Sequence, residues 1–321
     1  VRGRLVLLVL GLLALSGSCV LFWQQLRYRD LAANVAWIED RRFEALSLIT
    51  VGTGSAYENP RRLGPVSAVG FGTRIALVDA GRAAAEALRG CAIRPSQPDA
   101  VFLTSLLPEN SVGLDDLLYT GWLSERRSPL RVLGPPGTRA LAEAVAAAQA
   151  PAVRALGDAL GLPTEGARLE AQEVGDGWSE ERDGLRVAAA TVGTAPLPAL
   201  AWRFEAGGRA LVVAGSGPDP EALARFAAGS DLLAVEGFFR ESAQGAIEAG
   251  VGDAERLRRE ADLHLPLQRA GAAAERAGVP LLVLTRLRPP PLFDEQFRTP
   301  AGAEYRGRVE VAHDCATFGS G

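Results

Sequence analysis

Short apolar runs rich in branched residues recur along this chain, and Ala-rich stretches of helical period separate them. That alternation limits the fold more than any other feature. Leu46–Gly52, Ile75–Asp79, Ala100–Thr104 and Leu130–Leu133 read as strands, with Arg82–Arg89, Val112–Leu123 and Thr138–Leu162 as helices. The second half repeats the rhythm. Leu185–Thr191, Ala199–Glu205, Ala210–Ala214, Leu232–Val235 and Pro280–Thr285 read as strands, and Leu265–Ala277 as a helix. Two successive strand sets, each with its own helices, predict an α/β sandwich with helices outside paired sheets. A chain of 321 residues can bury such a core. Its 22% charged residues against 48% hydrophobic ones fit a folded body rather than a disordered one.

Ahead of that body, Arg2 and Arg4 precede an unbroken apolar or small run from Leu5 to Trp23, with Phe22 and Trp23 placed like an interfacial belt. The run predicts a transmembrane anchor or signal segment over residues 1–29, a linker helix over 30–45 and the folded domain over 46–321. Cleavage or lipidation at Cys19, after the small residues Ser16 and Ser18, is the alternative. The chain has no Lys and abundant Ala, Gly and Arg, which points to a GC-rich bacterial genome. The implied location is the bacterial inner membrane, with a single-pass anchor and a periplasmic or extracellular body. A net charge of −4 argues against a nucleic-acid partner, which would need a basic surface.

Only two His and three Cys occur. The cysteines form no CxxC pair. Two buried free thiols are the expectation for Cys91 and Cys315, with their pairing in an oxidising compartment as the alternative. Gly52-Thr53-Gly54-Ser55 follows a strand but lacks the third glycine and the following helix of a dinucleotide loop, so a tight strand-end loop is the better reading.

Several motifs recur in an order that resembles one family. They are Val51-Gly52-Thr53-Gly54-Ser55, Pro60–Pro65, Leu77-Val78-Asp79-Ala80-Gly81, Ala100–Thr104, Gly121-Trp122-Leu123 and Gly134–Thr138. Trp202–Glu205, Gly208–Val213, His264 with the helix Gln268–Gly278, and Leu282–Thr285 before Pro289-Pro290 continue the series. From about residue 46 to the end, the chain resembles the metallo-β-lactamase-fold superfamily in its ribonuclease Z-like and arylsulfatase-like branch. The resemblance implies an αββα sandwich, here with an N-terminal membrane-anchor helix.

The family's chemistry uses two metal ions, zinc as a rule, clamped by His and Asp to make a nucleophile of bound water. Its ligand block, Thr-His-x-His-x-Asp-His, falls on Thr104-Ser105-Leu106-Leu107-Pro108-Glu109-Asn110. The His positions are thus Ser105, Leu107 and Asn110, and the Asp is Glu109. The next ligand His falls at Gly193, the bridging Asp at Ser216 and the last His at Arg286. Every expected ligand has changed. One carboxylate cannot hold zinc against water, and Arg286 puts a fixed positive charge where a cation would sit. No metal and no other cofactor is therefore expected. Arg286 is a candidate partner for Glu109.

His264 is the one site residue of the family type that persists. In relatives the matching His helps handle the scissile phosphate or leaving group; here a partly buried His holding a loop is the favoured reading. His313 reads as a surface or strand-edge residue and Asp79 as structural. Ser105 or Ser216 with His264 and Asp79 or Asp115 would supply the residue types of a metal-free triad, but no Gly-x-Ser-x-Gly elbow supports one. The expectation is a membrane-anchored, catalytically inactive pseudoenzyme with a binding or scaffold role. Its remnant cleft, formed by Ser105, Leu107, Glu109, Asn110, Gly193, Ser216, His264 and Arg286, would take an anionic small ligand or a protein partner. The alternative is a hydrolase, phosphodiesterase or other esterase, with an altered and metal-independent site.

Overall fold

The computed structural model describes residues 2–34, 38–56, 59, 61–194 and 196–319. The chain divides into two units, residues 1–39 and 40–321.

The first unit is the helix α1 (Arg2–Asn34). Among the described residues no helix is long and apolar enough to cross a membrane. The expected anchor helix is corrected on that ground, and so are the membrane partner and the single-pass inner-membrane placement drawn from it. Of the linker helix expected over 30–45, residues 35–37 lie outside the described residues, and Phe43 already begins a strand.

In the second unit, the strands run in two sheets. The first takes β1 (Phe43–Gly52), β2 (Val66–Gly72), β3 (Arg74–Val78), β4 (Ala100–Phe102), β5 (Leu130–Gly134) and β6 (Leu169–Glu173). The second takes β7 (Ser179–Arg182), β8 (Leu185–Gly193), β9 (Ala199–Ala206), β10 (Arg209–Ala214), β11 (Leu232–Phe238), β12 (Leu281–Arg288) and β13 (Arg308–Val311). The last strand, β14 (Ala316–Phe318), returns to the first sheet beside β1. Each sheet is antiparallel at one side and parallel at the other: β3 to β6 in the first and β10 to β13 in the second. The parallel strands are joined by crossover helices, as parallel pairing requires.

Those helices are α2 (Ala84–Gly90), α3 (Pro108–Ser111), α4 (Leu114–Leu123), α5 (Thr138–Leu160), α6 (Pro220–Ala227), α7 (Arg240–Glu248), α8 (Ala254–Asp262), α9 (Leu267–Ala277) and α10 (Glu295–Ala301). Three apolar layers result. Between the sheets, Leu48, Val69 and Phe102 pack against Trp202, Phe204 and Val213. Phe102 meets Trp202 edge to face at 4.8 Å, and the Trp202 indole N–H donates to the Leu103 carbonyl across the gap at 3.2 Å. Outside the first sheet, α2 and α4 bury Leu88, Leu117 and Leu118; outside the second, α6, α9 and α10 bury Leu223, Ala273 and Phe297. The predicted αββα sandwich is the architecture found.

Cys91, just after α2, and Cys315, just before β14, form a disulfide with their Cα atoms 5.0 Å apart. This corrects the expectation of two free thiols. Only the fold brings together residues separated by 224 positions.

Candidate functional site

The carboxyl ends of β4, β10, β11 and β12 converge at one rim of the sandwich, the place where open α/β sheets present their ligand crevices. Asp79, just past β3, is fully buried there. Its carboxylate accepts the Thr104 N–H at 2.7 Å and the Thr104 hydroxyl at 2.8 Å, which fixes the start of the loop after β4. Asn110 donates to Ser105 Oγ at 2.9 Å and folds that loop onto itself. Asp79 thus holds the loop after β4 in place.

The charges pair differently from expectation. Arg286, 2% exposed, forms its ion pair with Asp79 rather than with Glu109. Glu109 pairs with Arg288 at 2.5 Å, and Arg288 also reaches Glu260 of α8 at 3.1 Å. Ser216 Oγ donates to the other oxygen of Glu109 at 3.0 Å. Arg286 thus holds Asp79, and Arg288 holds both Glu109 and Glu260.

A second network lies beside the first. Glu236, in the otherwise apolar β11, accepts the Gly217 N–H at 2.5 Å and the Leu265 N–H at 2.9 Å, and lies 2.9 Å from His264 Nδ1. Burial alone would raise its pKa. The hydrogen bond and charge of His264 and the two backbone N–H groups outweigh burial and hold the carboxyl below its ordinary range. With Nδ1 turned to the Glu236 carboxylate, His264 Nε2 has no hydrogen-bond partner among the described residues. Gly217 makes this turn possible. Its φ is +68°, and a Cβ there would lie 2.4 Å from the Leu263 carbonyl oxygen.

Two cavities open at this rim, with His264 on the wall of both. One, of about 270 Å³, is lined by Ser105, Leu107, Glu109, Ser216 and His264 with Arg288. The other, of about 450 Å³ and more polar, has Gly193 on its wall with Arg240 and Arg269. Asn110 and Arg286 are buried at 0% and 2% exposure and line neither. Sequence reading missed Glu236, Glu260 and Arg288. For Glu236 a signal existed, a lone carboxylate inside the run Leu232–Phe238, since a fully buried Glu is rare unless paired.

The residues present do not fit the family's metals. Leu107 offers no donor atom, and Asp79 and Glu109 are each held by an arginine. Among the described residues no group of three or more His, Cys, Asp or Glu side chains is arranged to hold a metal ion. The metal-binding site is degenerate, and no complete cluster for zinc is present among those residues.

No family model matches the chain. Solved structures place it in a class. It is similar to the metallo-β-lactamase fold protein YhfI from Bacillus subtilis, with a TM-score of 0.64 at 16% identity over 85% of this chain and 99% of that one. It is also similar to the short form of human tRNase Z, with a TM-score of 0.60 at 18% identity over 85% and 98% of the two chains. The curated relatives narrow the class. Ribonuclease Z of Mycobacterium bovis is 31% identical over 282 residues, 84% of this chain and 96% of its own length; that of Mycobacterium marinum is 30% identical over the same number. The chain belongs to the ribonuclease Z family of the metallo-β-lactamase superfamily, with a degenerate metal site.

The expected membrane anchoring of the scaffold is corrected by these findings, and the degenerate metal site implies a reduced or altered catalytic capacity. No described helix is long and apolar enough to cross a membrane, and the similarity spans nearly the whole length of relatives named ribonuclease Z. The alternative, a hydrolase with an altered site, is the better supported reading.

Proposed function

We propose that this protein is a ribonuclease Z-family hydrolase with an altered, metal-independent site, in which His264 transfers the proton. The observation that carries this reading is the Glu236–His264 pair. The pair is buried, with His264 on the wall of both cavities, while the expected metal-ligand positions carry other residues.

The proton path follows from the pair. An imidazole whose Nδ1–H donates to an ionised carboxylate presents a basic Nε2. That nitrogen takes a proton from water as the water oxygen bonds to the ester's electrophilic centre. It returns the proton to the departing oxygen as the old ester bond breaks. Glu236 is a positioning residue: it fixes the imidazole's tautomer and steadies its positive charge. The Phe238 ring, with its centroid 5.1 Å from that of His264, limits the imidazole's rotation. Without metals to polarise the bond, the rate is expected to lie well below that of a two-metal enzyme.

The test is hydrolysis of p-nitrophenyl acetate and of bis(p-nitrophenyl) phosphate, with and without EDTA. The reading predicts turnover of at least one that EDTA leaves unchanged and that His264→Ala lowers about 100-fold or more. No turnover above buffer with either compound would overturn it. So would turnover that EDTA abolishes and zinc restores.

A further inference from the structure

The helices α7 and α8 stand apart from the other outer helices of the sandwich. α7 buries no residue and α8 buries Ala261 alone, whereas the neighbouring α9 buries six. Each lies chiefly against the other. Where the pair meets the body there is a cavity of about 420 Å³, lined by Ala243, Ala246 and Leu257 from the pair and by Phe238 and Pro289 from the body. Both ends of the segment are nonetheless pinned. The Phe239 N–H donates to the Arg288 carbonyl at 2.8 Å, and the Leu265 N–H to Glu236 at 2.9 Å. We propose that α7 and α8 move together as a lid over His264, turning on Phe239 and Leu265.

Place and packing both support a lid. Arg240, Asp262 and Leu263 wall the more polar of the two cavities that His264 borders, and Glu260 and Leu263 wall the other. Outward movement of the pair therefore widens both spaces around His264, whose side chain is 5% exposed. Few buried apolar contacts oppose that movement, and a segment so held opens at a fraction of the free energy of global unfolding. The links that hold the pair to the body are polar. Gln268 of α9 donates to Glu241 at 2.8 Å in an exposed position, where a hydrogen bond contributes little. Arg288, which also holds Glu109, reaches Glu260 at 3.1 Å. The exposed Arg240–Asp262 pair at 2.8 Å joins the start of α7 to the end of α8, so it couples the helices to each other without tying them down.

That the lid serves catalysis rests on the hydrolase reading; its motion does not, so the two are measured apart. On the full chain, hydrogen exchange reads the motion. Carbethoxylation by diethyl pyrocarbonate reads access to His264, with His313, its side chain 62% exposed, as the open comparison. Amides of α7 and α8 are expected to have similar protection factors, at least about 100-fold below those of α9. His264 is expected to react at least about tenfold more slowly than His313. Ala246→Leu fills part of the cavity beneath the pair, and is expected to slow both the exchange and the His264 reaction about tenfold while leaving His313 unchanged. Ala243→Leu gives the same outcome by an independent route should the first variant fail to fold. Protection of α7 and α8 equal to that of α9, protection that differs about tenfold or more between the two helices, or a His264 reaction that neither variant slows would overturn the proposal. Gated access to His264 without any ester turnover would overturn the hydrolase reading alone. Turnover with His264 as reactive as His313 would overturn the lid alone.

Discussion

Arg286 and Asp79 meet with both side chains out of water and both backbones in the left-handed region, at φ 49° and 64°. Such backbone is unfavourable for a long side chain and persists where its surroundings over-determine it. Burial pushes the Asp79 carboxyl above its usual range; the charge of Arg286 and the bonds from Thr104 and Arg286 pull it back. Arg286→Met is expected to lose about 3–5 kcal/mol in urea unfolding, because it leaves a buried carboxylate without its partner. Adding Asp79→Asn should restore most of that; a single variant as stable as the parent would refute the pairing. Glu236 gives the opposite sign. Its folded-state pKa lies below its ordinary 4.5, so the stability it contributes is complete above that value. That stability is lost as pH falls through the lowered one. Glu236→Gln is expected to flatten the acid limb of a stability–pH profile, and an unchanged limb would count against the pair. Glu109, Ser216 and His264 were legible as cleft residues because family motifs bracket them. Which arginine meets which acid was not, because pairing depends on where β12 places Arg286 and Arg288 in space.

The elements that sequence reading recovered are the apolar ones. Runs such as Leu232–Val235 and Pro280–Thr285 are central strands buried on both faces, and their composition carries the signal. Those it missed are polar, short or Gly-bearing. β6 reads Leu-Glu-Ala-Gln-Glu and β7 Ser-Glu-Glu-Arg, both at sheet edges, where charge guards against stray pairing. β2 contains Gly70, where a Cβ would lie 2.4 Å from the Phe43 ring, so close packing rather than strand propensity selects that residue. Two predictions belong here. The Cys91–Cys315 disulfide ties the helix layer of the first sheet to its last strand; reduction or Cys315→Ser is expected to cost about 2–4 kcal/mol. Thermal unfolding with and without reductant measures it, and an unchanged midpoint would show that the bond adds no stability. Gly217→Ala is expected to cost roughly 1–3 kcal/mol and to displace the His264 loop, for want of both the φ and the space.

For the molecule as a whole, arginine–carboxylate bridges occupy the rim where the family resemblance places the metal-ligand positions. The full chain, purified without added metal, is therefore expected to hold well under one equivalent of zinc by elemental analysis, and EDTA is expected to leave its unfolding midpoint unchanged. Two equivalents bound, or a midpoint lowered by EDTA, would refute the degenerate site. The sequence by itself determined the fold class and the loss of ligands, since both are local: apolar periodicity marks strands and helices, and a leucine at a ligand position is visible in the letters. It also suggested a membrane crossing, for which no helix among the described residues is long and apolar enough. Tertiary structure alone decided that Cys91 bonds Cys315, that Arg288 rather than Arg286 takes Glu109, and that Glu236 supports His264. Each joins residues far apart in sequence, and no local pattern records a contact made only when two sheets close on a common core.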